Sequence, residues 1–175
     1  MNILMFGWEF PPHISGGLGT ACHGITKALS SNPDINLTFV VPKAWGDETV
    51  SSMKLIGANK IDILRSCIKT ERFELPHTKI SVQSHLVPYV DPEEYKRRFT
   101  EAGKSFNKPH ESSTGMPLFS GSYSDDLIAE IKNFSVIAEY ISSTSNFDLI
   151  HAHDWLTFPA GILAKKATGK PLIIH

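Results

Sequence analysis

Four residues with useful chemistry follow one apolar stretch near the end of the chain, in LIHAHDW: His151, His153, Asp154 and Trp155. Two histidines at this spacing could bind a metal ion. A carboxylate beside an indole could instead hold a sugar, with the carboxylate on the hydroxyls and the indole on an apolar face of the ring. The histidines could also be ordinary core residues. Because all four residues come together at the end of one predicted strand, we favour a functional site.

A second stretch, FPPHISGGLG, places the adjacent glycines Gly16 and Gly17 before a predicted helix. Free backbone amides at a helix start, together with the helix dipole, bind anions such as phosphate. Glycines let the backbone approach such a ligand closely. The spacing matches neither the GxGxxG dinucleotide fingerprint nor a P-loop, because no GK[ST] follows. The alternative explanation is a tight turn that lets the helix pack on the sheet.

Alternating strands and helices must position these residues. Near-continuous apolar runs predict strands buried on both faces, and a helical stripe of apolar residues predicts each helix. The pattern predicts an α/β, Rossmann-like fold with a mostly parallel sheet flanked by helices. The predicted strands are 2–8, 35–42, 147–154 and 171–175, and the predicted helices are 17–30, one from Ser124, and 155–168.

The middle of the chain is less regular. Its pattern predicts a strand over 79–90 that could pair with 55–64, followed by a helix over 91–99. Residues 103–121 are rich in Gly, Pro, Ser, Asn and Lys and are interpreted as a surface loop.

A histidine ends the last predicted strand, PLIIH, at His175. In open parallel sheets, ligands bind outside the carboxyl ends of the strands. The glycine loop, the residues around Asp154, and His175 would then lie along one edge of the sheet. We therefore expect one ligand site built from three strand ends.

Composition excludes several classes of partner. The 175 residues carry a net charge of −1, so we expect no binding to nucleic acid. No apolar run approaches the roughly 20 residues that span a bilayer, and the N-terminus reads as a strand rather than a signal peptide. Cys22 and Cys67 lack CxxC spacing and suit free thiols in a reducing compartment. We expect a cytoplasmic protein.

Two segments resemble GT-B glycosyltransferases of the glycogen/starch synthase type: MNILMFGWEFPPHISGGLG and DLIHAHDWLTFPAGILAKKATGKPLIIH. In that family a Gly-Gly-Leu loop follows the first strand. A His-Ala-His-Asp-Trp block ends a middle strand, and the next strand ends in a histidine. Both segments match in order and context.

The resemblance implies two Rossmann-like domains with the active site between them. Residues 1–175 would form the N-terminal, acceptor-side domain, and the chain stops at a buried strand, so we expect a longer protein with a C-terminal nucleotide-sugar domain. The implied reaction transfers glucose from ADP-glucose or UDP-glucose to an α-glucan, with retention at the anomeric carbon. The nucleotide sugar is a substrate, and no cofactor or metal is expected. Residues 1–175 alone would be inactive.

The resemblance also implies roles for individual residues. Gly16, Gly17 and Leu18 would offer amides to the donor diphosphate. His175 and Asp154 would be the catalytic residues, with His175 beside the transferred sugar. Asp154, Trp155 and His153 would bind the acceptor.

Two departures from the family pattern leave other functions open. Ile14 stands where the synthases carry a lysine, and Leu156 stands where bacterial synthases often have a histidine. A related GT-B transferase that makes another glycoside is one alternative. A metal-dependent hydrolase that uses His151 and His153 is a second, and a non-catalytic carbohydrate-binding module is a third.

Overall fold

A computed structural model describes residues 1–50, 52–61, 119 and 127–175. All three predicted helices are found: 17–30, the one after Ser124, and 155–168. The helix predicted over 155–168 starts three residues later than predicted. The strands are β1 (Asn2–Phe6), β2 (Asn36–Val41), β3 (Lys54–Gly57), β4 (Leu149–Ala152) and β5 (Leu172–Ile174), and the helices are α1 (Gly17–Ser30), α2 (Leu127–Thr144) and α3 (Phe158–Thr168).

The five strands form one sheet in the order β3-β2-β1-β4-β5, and every pairing is parallel. This is the strand order of the Rossmann fold, in which the chain builds outward in both directions from the centre. The α/β, Rossmann-like prediction is therefore confirmed.

Both faces of the sheet are covered, which explains the continuous apolar pattern of β1. Leu4 and Phe6 point to the face that carries α2 and α3, where they pack with Phe134 and Ile150. Ile3 and Met5 point to the opposite face and pack with Cys22 and other residues of α1. Alternate residues thus serve two hydrophobic cores, and neither face of the strand can be polar.

The apolar stripe of α2 and the predicted end of α3 are both found. The α2 stripe is buried at Ile131, Phe134, Ala138 and Ile141. Helix α3 ends at Gly169, whose φ of 70° is the left-handed conformation that commonly stops a helix. No helix in the described part of the chain is long and apolar enough to cross a membrane.

The middle of the chain differs from the prediction where it is described. The strand expected over 55–64 ends at Gly57 and pairs with β2, and a 3-10 turn follows over Ala58–Lys60. Phe119 is buried in the main core, so the segment predicted as a surface loop is not on the surface at this residue. The predicted strand 79–90, the predicted helix 91–99 and Cys67 lie outside the described residues.

Candidate active site

The centre of the sheet is the point where the strand order reverses. Strands β1 and β4 are neighbours there, and the chain leaves them towards opposite sides of the sheet. The backbone N–H of His153 donates to the carbonyl of Phe6 at 3.0 Å, which ties the two strand ends together. Crevices at such a point bind ligands in open α/β sheets.

The glycine loop enters α1 from the end of β1. Gly16 is extended, with φ of −170°, and none of the described side chains caps the helix that starts at Gly17. A Cβ atom added at Gly16 or Gly17 would meet no atom within 4 Å. These two glycines therefore face open space, and the amides at the helix start remain available to a ligand.

Gly19, two residues further on, has a different role. A Cβ atom added there would lie 2.4 Å from Cγ2 of Ile14 and 3.1 Å from Oε2 of Glu9. The explanation of the glycines as a packing device therefore applies to Gly19, where the loop folds back on the helix. It does not apply to Gly16 and Gly17.

Glu9 holds this loop in place, a role that the sequence analysis did not assign to it. The side chain is only 4% exposed. Its carboxylate accepts hydrogen bonds from the Ser15 backbone N–H at 3.0 Å and from the Ser15 hydroxyl. The sequence offered one indication of this role, a glutamate directly after an apolar run. The partner of that glutamate, Ser15, is known only from the folded loop.

The loop after β2 lies against the glycine loop. The sequence did not predict this contact. The His13 ring stacks on Trp45 at 4.6 Å between centroids, and His13 Nε2 lies 2.8 Å from Oδ1 of Asp47. Lys43 Nζ lies 3.5 Å from the centre of the Trp45 ring, within cation–π range. These contacts join the ends of β1 and β2.

Three histidines meet at the ends of β4 and β5. His151 and His153 lie on one side of β4, with ring centroids 4.1 Å apart. His153 Nδ1 lies 3.2 Å from His175 Nδ1. Side-chain nitrogens of all three lie within 4.8 Å of one another, a spacing that one metal ion could bridge. The structure thus brings His153 and His175 into direct contact, although 22 residues separate them in the sequence.

Burial makes two of these imidazoles weak bases. His153 is 1% exposed. Its burial, followed by the proximity of His151 and His175, lowers its pKa to about 4. Burial, followed by His175, also lowers the pKa of His151. His153 is therefore neutral at pH 7, and a ligand cannot reach it directly in this structure.

Asp154 and Trp155 form the turn between β4 and α3. Asp154 has a φ of 66°, and its backbone N–H donates to the carbonyl of His175 at 2.8 Å. Its Oδ1 accepts from the Leu156 N–H at 3.3 Å, which fixes the carboxylate over the turn. The Trp155 side chain is 42% exposed, so an indole face is available at the rim.

Electrostatics links this turn to the glycine helix. The pKa of the Cys22 thiol is raised to about 12, first by burial and then by the nearby charges of Asp154 and Glu9. Cys22 lies in the second turn of α1. The Asp154 carboxylate is therefore within electrostatic range of the helix that carries Gly17, and the thiol stays protonated at neutral pH.

Comparison with known proteins identifies the family of the chain. The family model described as the starch synthase catalytic domain matches residues 2–174. The chain is also similar to an uncharacterized glycosyltransferase, YqgM, of Bacillus subtilis (strain 168), with 34% identity over 89 residues. That alignment covers 51% of this chain and 21% of the relative, so it spans about a fifth of the relative's length. Because the family model matches nearly every residue, the chain belongs to the starch synthase catalytic domain family of glycosyltransferases.

Proposed function

We propose that residues 1–175 are the acceptor-side domain of a retaining glycosyltransferase that transfers glucose from ADP-glucose or UDP-glucose to an α-glucan. The observation that carries the proposal is the meeting of three features at one edge of the sheet. These are the uncapped start of α1, the turn at Asp154 and the end of β5 at His175. A C-terminal domain of the same protein would supply most contacts to the nucleotide.

The start of α1 is suited to the diphosphate of the donor. As the glycosidic bond breaks, negative charge accumulates on the leaving diphosphate. The amides of Gly17 and Leu18, already fixed by the helix, can stabilise that charge without rearrangement. The open space beside Gly16 and Gly17 leaves room for the phosphate oxygens to approach.

The other side of the crevice is suited to sugars. The Asp154 carboxylate uses Oδ1 in its own turn, which leaves Oδ2 to accept from a sugar hydroxyl. Trp155 offers an exposed indole face on which an acceptor glucose can stack. His175 lies between this turn and the end of β4, and we assign it to the transferred sugar. His153 was expected to contact the acceptor; because it is buried, we assign it a role behind His175 instead.

One observation favours a second candidate, a related transferase that makes another glycoside. Ile14, which replaces the family lysine, is 37% exposed and packs against Gly19. It cannot offer a charge to the diphosphate, so the donor would be held more by the amides and by the other domain. Family membership argues against the hydrolase alternative. We also propose a cytoplasmic location, because Cys22 is a free thiol, which suits a reducing compartment.

The test is a transfer assay on the intact protein, with ADP-glucose and UDP-glucose as donors and glycogen as primer. We expect incorporation from one of them and at least about tenfold lower turnover in His175→Ala, about 1.4 kcal/mol of transition-state stabilisation. Residues 1–175 alone should not incorporate glucose. Transfer of a different sugar by the intact protein would favour the second candidate. Absence of transfer from any nucleotide sugar would refute both.

A further inference from the structure

The buried His153 ring makes a contact that the proposed function does not explain. Its Nδ1 faces His175 Nδ1 at 3.2 Å, and the two rings are nearly perpendicular, at 84°. Its other nitrogen, Nε2, is buried and has no hydrogen-bond partner in the described part of the chain. Within the described residues, the ring therefore makes a hydrogen bond through Nδ1 alone.

This geometry restricts where the protons lie. A neutral imidazole carries one N–H and one bare nitrogen. At 3.2 Å, one Nδ1 must donate and the other accept. If His175 donated, His153 would accept at Nδ1 and would have to carry its own proton on the buried Nε2. Among the residues that the structure describes, that N–H would have no partner.

The two arrangements differ in cost. Among backbone groups, buried N–H donors without a partner are rarer than buried acceptors without one, and we apply the same preference to the imidazole. The arrangement with His153 Nδ1–H as donor leaves only a bare lone pair at Nε2. His175 then accepts at Nδ1, and its single proton must be on Nε2.

Backbone hydrogen bonds hold His175 beside the His153 ring. The His175 N–H donates to the carbonyl of Ala152 at 3.0 Å, and its carbonyl accepts from Asp154 at 2.8 Å. His175 is otherwise exposed, at the carboxyl end of β5. Because Nδ1 is occupied by His153, the nitrogen available to a ligand is Nε2.

We propose that His153 is a positioning residue that holds His175 as a hydrogen-bond donor at Nε2. Resting on the proposed function, this means that His175 binds the transferred sugar by donating to a hydroxyl oxygen. It also means that His175 does not act as a general base through Nε2. A base at this position would need a bare Nε2, which the contact with His153 excludes.

The first test reads the protons directly. In the intact protein labelled with ¹⁵N-histidine, two-bond ¹H–¹⁵N correlations at pH 7.5 distinguish the tautomers of each ring. The decisive expectation is a His153 ring protonated at Nδ1, paired with a His175 ring protonated at Nε2. The signals of each ring are assigned by their loss in a variant substituted at His153 or at His175. Protonation of His153 at Nε2, or of His175 at Nδ1, would overturn the proposal.

The second test separates positioning from packing. Asn and Leu are similar in size, but only Asn can place an N–H near the position of His153 Nδ1. We expect His153→Asn to keep kcat within about threefold of the wild type and His153→Leu to lower it at least about tenfold. A folded Leu variant with wild-type kcat would refute the positioning role. A protein inactive towards every nucleotide sugar would refute the proposed function. The tautomers are measured without turnover, so the spectra would still decide whether His153 donates to His175.

A metal ion is the alternative explanation of this cluster, because His151, His153 and His175 each offer a ligand nitrogen within 4.8 Å of the others. Zinc is the probe: the intact protein is equilibrated with Zn²⁺, dialysed, and measured for bound metal. We expect no stoichiometric zinc. One ion per chain, lost in both His153→Asn and His153→Leu, would overturn the hydrogen bond between the two rings.

Discussion

Substitution of Gly17 by valine tests whether the start of α1 binds the donor. Cβ atoms of helical residues tilt towards the helix N-terminus, the direction from which an anion would approach free amides. A Cβ at Gly17 meets no protein atom within 4 Å, so the valine side chain would occupy the space assigned to the diphosphate without disturbing the fold.

The expected effect is large on activity and small on stability. Hydrogen bonds to charged groups contribute about 1.5–3 kcal/mol each, so displacing the diphosphate from two amides costs at least about 3 kcal/mol. This corresponds to more than about a hundredfold loss in kcat/KM. The helix itself should gain a few tenths of a kcal/mol, because valine is a better helix former than glycine.

Gly24 provides the matched control. It lies in the same helix, and a Cβ atom added there also meets nothing within 4 Å. Gly24→Val should therefore have near wild-type kcat/KM in the same transfer assay and a urea midpoint close to that of Gly17→Val. If a folded Gly17→Val protein kept wild-type kcat/KM for the nucleotide sugar, the assignment of the diphosphate to this helix would be wrong.

Three further predictions concern the acceptor, the loop and pH. Trp155→Ala should weaken use of the glucan acceptor by roughly 1–3 kcal/mol, measured as kcat/KM, while Trp155→Phe retains most of it; unchanged acceptor kinetics in the alanine variant would contradict stacking. Gly19→Ala should lower the free energy of unfolding by about 1–3 kcal/mol, because its Cβ would lie 2.4 Å from Ile14, and Ile14→Ala in the same chain should restore much of it in urea titrations. Because folding lowers the pKa of His153 to about 4, the unfolded chain binds a proton that the folded chain refuses, so stability should fall as pH falls from 6.5 towards 4. The free energy of unfolding should fall by about 1.4 kcal/mol per pH unit, and His153→Asn should reduce this slope. Equal slopes in the two proteins would show that His153 is not its cause.

Much of the fold could be predicted because burial leaves a periodic pattern in the sequence. Strand β1 is apolar at every position after Asn2 since its two faces serve different cores. The stripe of α2 is equally regular. The rule that ligands bind at the carboxyl ends of parallel strands then predicted the edge where Asp154 and His175 lie.

The remaining features depend on neighbours that are distant in sequence. Gly57 and Asn59 are turn-forming residues, but a single glycine does not establish that β3 stops there. In the fold, a Cβ at Gly57 would lie 2.8 Å from the Ala44 backbone nitrogen. The role of Glu9 likewise requires the loop to return to it at Ser15. His153 could be predicted as a site residue, but its burial and its partner, His175, follow from the side-by-side placement of β4 and β5.

The left-handed backbone at Asp154 affects how substitutions at this position should be interpreted. Residues with a Cβ atom pay roughly 1–2 kcal/mol in this conformation, and Asn, Asp and Gly are the ones that adopt it most readily. An alanine substitution would therefore remove the carboxylate and strain the turn that connects to His175. Asparagine separates the two effects because it keeps the backbone preference and loses only the charge. The same argument predicts that few residue types fold well at this position, even where the carboxylate itself has no role.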